Sequence, residues 1–209
     1  MIRFGALVFA AALSGSCARA VPRKMDFSET AQAVRVEEYP QVQRAWTRDA
    51  KLVRDVGTVI EAWATAKSWQ FRQAYIEQYA AIYNLGAAER KALHTAQLDA
   101  ARASWEFHVT VQTTKHEWND LEKQDSPWRI TLLDAAGNEL APTSVEAPDL
   151  PELYEATFFP SRTEFSRTFV IRFERASSGE AGFRGPSSGG ITLRIAGPLG
   201  RIDLRWDAL

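Results

Sequence analysis

The hydrophobic period of this chain changes once, near Ser104, and that change bounds the folds open to it. Before it, Ser68 to Tyr83 carries Phe71, Tyr75, Tyr79 and Ile82 at spacings of four, four and three, behind a serine suited to cap a helix N-terminus. Asn84-Leu85-Gly86 ends that helix. Ala87 to Ala103 starts another, with Glu89 in its first turn and Leu93, Ala96, Ala100 and Ala103 on one side. The pair reads as a helical hairpin.

Beyond Ser104 the period is two. Phe107, Val109 and Val111 alternate with His108 and Thr110, and further extended segments run over Trp128 to Leu133, Phe165 to Glu174, Ile191 to Ala196 and Arg201 to Trp206. Turn signals at Asp134 to Asn138 and Gly197 to Gly200 separate them. Lys51 to Thr65 fits a helical stripe in part, but its β-branched residues and Gly57 favour a strand. The expected fold is α+β: an immunoglobulin-like antiparallel β-sandwich with an inserted N-terminal helical hairpin. At 209 residues, 45% of them apolar, one globular domain over 46–209 can build its own core.

The N-terminus carries an address. Met1 to Arg3 is a short basic start, Phe4 to Leu13 an unbroken small and apolar run, and Ser14 to Ala20 a polar exit with small residues, the order of a secretory signal peptide. A bilayer-spanning helix needs roughly twenty apolar residues, about twice this run. Two processing sites compete over residues 1–20. Ala18-Arg19-Ala20 would release a soluble chain starting at Val21, whereas Leu13-Ser14-Gly15-Ser16-Cys17 resembles a bacterial lipobox, with Leu13 one place further out than usual. The lipobox reading makes Cys17 the lipid attachment and membrane anchor, and Ala18 after it points to the outer membrane. Polar residues 21–45, with Pro22 and Pro40, then read as a tether, and a short helix over Gln41 to Thr47 opens the ordered part.

Composition removes several function classes. Cys17 is the single cysteine, so no internal disulfide or thiolate metal cluster is available. The 25 basic and 26 acidic residues are interspersed, and no clustered positive charge marks a nucleic-acid surface.

Short motifs were weighed for chemistry. Gly185-Pro186-Ser187-Ser188-Gly189 matches the serine-hydrolase G-x-S-x-G pattern, but no histidine follows it, as the α/β-hydrolase order requires, and it sits in the Ser/Gly-rich stretch Ser177 to Gly190, expected as a mobile loop. His116-Glu117 lacks the second histidine of a zinc helix. Glu117, Asp120 and Glu122 read as a solvated acidic loop, short of a calcium loop's ligand set. His94 and His108 read as surface or rim residues. No catalytic residue, metal site or cofactor is singled out.

Of the seven tryptophans, Trp63, Trp105, Trp128 and Trp206 fall in expected strands and read as core. Trp46, Trp69 and Trp118 fall at element ends and are the interface candidates, for an envelope protein or a glycan.

Phe71-Arg72-Gln73-Ala74-Tyr75, Glu117 to Leu121, Trp128-Arg129-Ile130, Phe159-Pro160 and Gly197 to Trp206 resemble in order a family of small, uncharacterised bacterial envelope proteins, often lipoproteins by sequence. The resemblance spans residues 50–207 and implies a fold and an address; the family has no established activity to carry over. The leading expectation is a non-catalytic envelope binding module. The alternatives are a periplasmic hydrolase, or a carbohydrate-binding module using Trp46, Trp69 and Trp118.

Overall fold

The computed structural model describes residues 24–29, 35–55, 57–175 and 182–209. The signal peptide, Cys17 and part of the Ser/Gly-rich stretch lie outside these residues.

Among the described residues, nine strands form two antiparallel sheets. β1 (Thr47–Arg54), β2 (Gly57–Ala66), β3 (Ser104–Thr113), β7 (Arg167–Glu174) and β6 (Ser144–Glu146) lie side by side in that order. The second sheet runs β5 (Glu139–Leu140), β4 (Arg129–Asp134), β8 (Gly190–Gly197), β9 (Gly200–Asp207). Ile60, Ala62, Phe107, Val109, Phe169 and Ile171 on one sheet bury against Ile130, Leu132, Leu193, Ile195, Leu204 and Trp206 on the other, forming a sandwich-like α+β core. Phe107 meets Trp206 across the layers at 5.3 Å between ring centroids.

Four α-helices among the described residues accompany the sheets: α1 (Tyr39–Trp46), α2 (Trp69–Tyr83), α3 (Ala87–Ala103) and α4 (Glu152–Phe158). α2 and α3 stand in the chain between β2 and β3, with the bounds their stripes predict. The Ser68 hydroxyl accepts from Phe71 N, Asn84 ends α2 in the left-handed region at φ 49°, and the Glu89 carboxylate accepts from Gly86 N.

Three expectations change. The single strand expected over Lys51 to Thr65 is a hairpin, β1 folding back on β2 with Arg54 opposite Gly57. Asp55 takes the left-handed conformation at φ 53°, which Asp tolerates better than most residues, so the chain can turn at the end of β1. The tether expected over residues 21–45 is docked where it is described: Met25, bridged to Ala208, and Tyr39 are buried in the core. The described end of the expected mobile loop is also packed. Phe183 is buried edge-on against Trp105, and Arg184 N donates to Asp134 Oδ2 at 2.9 Å.

Candidate functional site

β3 and β7 are buried on both faces. One face is the sandwich core; the other, carrying Glu106, His108, Thr110, Thr168 and Val170, is sealed as well, although the alternation of β3 reads as one face in solvent. Phe159, following α4, lies flat on His108 with ring centroids 3.5 Å apart and planes within 9°. Phe71 of α2 packs against Phe159, and the Tyr39 hydroxyl donates to Phe158 O at 2.8 Å.

Two charged groups are enclosed there. In the first, Glu106 gathers Lys67 and the guanidinium groups of Arg72 and Arg172, the latter two at 3.4 Å each. Arg72 is itself buried, giving Nε to Lys67 O and Nη1 to Gln97 Oε1. Burial pushes the Glu106 carboxyl up, but the three cations overcome it and hold the group at about 2. A carboxylate this strongly paired is an ionic keystone of the fold.

The second is His108 with Glu155 of α4. His108 Nε2 lies 3.3 Å from Glu155 Oε1, yet neither atom forms a hydrogen bond among the described residues, and Thr168 Oγ1 is likewise unpartnered. Burial lowers the His108 pKa, leaving the imidazole neutral at pH 7. Burial works the other way on Glu155 and is outweighed by the His108 imidazole, the Thr168 hydroxyl and the Arg162 guanidinium, so its carboxyl falls below the usual range. An ionised carboxylate beside a neutral imidazole is an acid–base pair in composition. With Phe159 flat on the ring, no substrate atom reaches the imidazole in this conformation.

Along the outer edge of α2 the aromatic stripe leaves the core. Phe71 is fully buried, Tyr75 and Tyr79 are half-buried, and Tyr83 is 49% exposed. α4 extends the row: Tyr154 sits 5.6 Å from Tyr79 and 6.0 Å from Tyr83, nearly parallel to the latter, and Leu153 beside it is 81% exposed.

The tryptophan candidates do not assemble. Trp46 is fully buried, its Nε1 donating to Gln70 Oε1 at 2.9 Å and its ring meeting Phe27 edge-on. Trp69 is buried, with half-buried His94 edge-on against its ring. Trp118 alone of the three is partly exposed, with Lys115 over its ring at 4.8 Å. Element ends in this fold turn inward, so a terminal tryptophan is no guide to exposure, and a flat three-ring platform is not available. Trp63 and Trp105, expected in the core, are half-buried.

The remaining motifs separate too. Ser187 is exposed and its hydroxyl donates to Arg184 O. Glu117, Asp120 and Glu122 pair with Lys115, Lys123 and Arg167 respectively. No group of three or more His, Cys, Asp or Glu able to hold a metal occurs among the described residues.

Sequence reasoning missed Glu106, His108, Glu155, Arg162 and Thr168. α4 itself was signalled by Pro151 and Glu152 at its start and Pro160 past its end. Once α4 is placed, the carboxylate at 155 faces the sheet.

Comparison with protein-family models and with curated proteins finds no match. Among solved structures, the chain is similar to a protein of unknown function from Burkholderia pseudomallei K96243, at 14% identity and a TM-score of 0.40, over 83% of this chain and 90% of that one.

Proposed function

We propose that this chain is a non-catalytic, exported envelope lipoprotein that works as a binding module, its folded part an immunoglobulin-like sandwich carrying α2 and α3 as an inserted hairpin. The observation that carries the reading is the aromatic row of Tyr79, Tyr83 and Tyr154 with exposed Leu153. Aromatic rings and a leucine gathered at the surface suit a protein interface, because they offer large apolar area at small conformational cost. The enclosed His108 favours binding over catalysis.

Export and a lipid at Cys17, holding the protein at the outer membrane or in the periplasm, rest on the order basic start, apolar run, small-residue exit. No helix among the described residues is long and apolar enough to cross a membrane.

The test places a photo-crosslinking residue at Leu153 and, separately, at Arg201 on the far sheet, in cells producing the protein. The expected outcome is one discrete adduct at Leu153 that is absent at Arg201; equal labelling at both positions overturns the docking surface. Intact mass of the mature chain, with Cys17→Ala beside it, tests the anchor.

A further inference from the structure

A cleft of about 310 Å³ opens beside α4, on the side of the sheet where β6 and β7 meet it, lined among others by Pro148, Leu150, Glu152, Glu155, Arg162 and Thr168. Its volume falls at the small end of ligand pockets, enough for one compact molecule and not for a folded partner. Glu155 and Thr168 are 4% and 8% exposed. Glu155 Oε1 and Thr168 Oγ1 hydrogen bond to nothing among the described residues. An ionised carboxylate and a hydroxyl can both accept, and leaving buried acceptors unfilled costs free energy. The group that fills them has to bring several donors, as a primary ammonium does.

Arg162 supplies the other half. Its Nη1 holds Glu152 at 3.3 Å and Glu155 at 3.4 Å, whereas Nε and Nη2 have no hydrogen-bond partner among the described residues. A guanidinium with an unfilled edge is a fork for a carboxylate.

We propose that this cleft binds the zwitterion of an α-amino acid with a small aliphatic side chain, its ammonium replacing Arg162 on Glu155 and its carboxylate replacing Glu155 on Arg162. Simply opening the Arg162–Glu155 contact would strand a buried carboxylate. A zwitterion caps both halves at once, so the charge count of the site does not change. The ammonium then reaches the acceptor at Thr168, and Pro148 and Leu150 offer apolar wall to the side chain. A neutral sugar cannot replace the positive charge at Glu155. This site is independent of the aromatic docking surface.

Calorimetric titration of the purified full chain with L-alanine, L-valine, N-acetyl-L-alanine, L-alaninamide and glucose tests the proposal. Alanine and valine are expected to bind one to one, and acetylation or amidation to weaken binding by at least about tenfold. Arg162→Gln, at a partly exposed position, is expected to erase the preference for the free carboxylate over the amide. Thr168→Val is expected to weaken alanine while the fold, checked by circular dichroism, is kept. The proposal is overturned by no saturable heat from either amino acid up to its solubility limit on folded protein, by alaninamide binding as well as alanine, by Arg162→Gln leaving the preference intact, or by glucose saturating instead.

Discussion

The outer faces of the two sheets carry polar residues in the same alternating rhythm and meet opposite fates. On the four-stranded sheet, Arg194 pairs with Asp203 and Arg205 with Asp207 at the protein's surface. On the five-stranded sheet, Glu106, His108, Thr110 and Thr168 occupy equivalent positions and are buried, closed over by α2, α4 and the residues around them. The same residue types therefore carry different energies. An ion pair in water contributes little, while an enclosed carboxylate ringed by cations cannot lose its charge without cost.

The comparison is put at greatest risk by charge removal. Glu106→Gln leaves Lys67, Arg72 and Arg172 without their shared carboxylate and is expected to cost about 3–5 kcal/mol in urea unfolding. Asp203→Asn, on the open face, is expected to change stability by less than about 1 kcal/mol. Equal losses would mean that the two faces are not energetically distinct.

Acid sharpens the contrast. The Glu106 pKa is depressed to about 2 from an ordinary 4.5, so its contribution is present above pH 4.5 and lost as pH falls toward 2. That shift corresponds to roughly 3 kcal/mol. His108 is also depressed, from 6.5, so the unfolded chain takes up its proton first and stability begins to fall below pH 6.5. The expected acid limb thus has two stages, and Glu106→Gln should shrink the lower one, to which depressed Glu155 also contributes, and leave the upper. A single stage starting at pH 4.5 would mean that His108 is not held neutral.

Smaller effects probe single atoms. Thr168→Val removes a buried hydroxyl with no hydrogen-bond partner and is expected to leave stability unchanged or raise it by up to about 1 kcal/mol. Tyr83→Ser with Leu153→Ser is expected to change the unfolding free energy by less than about 1 kcal/mol, because Leu153 is 81% exposed and Tyr83 is half-exposed at the end of its row. The same double variant should abolish the adduct captured by a crosslinker at Ile82.

Local signals made α2 and α3 legible: a stripe, a cap and a left-handed stop, all within a few residues of the helix they define. The strand segments of the sandwich were legible for the same reason. What escaped depends on a third layer. Alternation in β3 says which side chains share a face and is silent on whether that face meets water; α2 and α4, laid across it, decide that. His108 therefore reads as a surface or rim residue and lies, with Glu106, in the interior. Trp46 failed in the mirror sense, since its place at a helix end says nothing of the residues at 25–27 that come back over it.

The clamp on Met25 has a mechanical consequence. Its N–H donates to Asp207 O at 2.8 Å and its carbonyl accepts from Leu209 N at 3.1 Å, so a pull from the N-terminal side loads the end of β9 first. Tension then enters the four-stranded sheet, and the cleft and the tyrosine row stand off the line of force. A chain stretched from that end would keep both surfaces in register until those two hydrogen bonds give way.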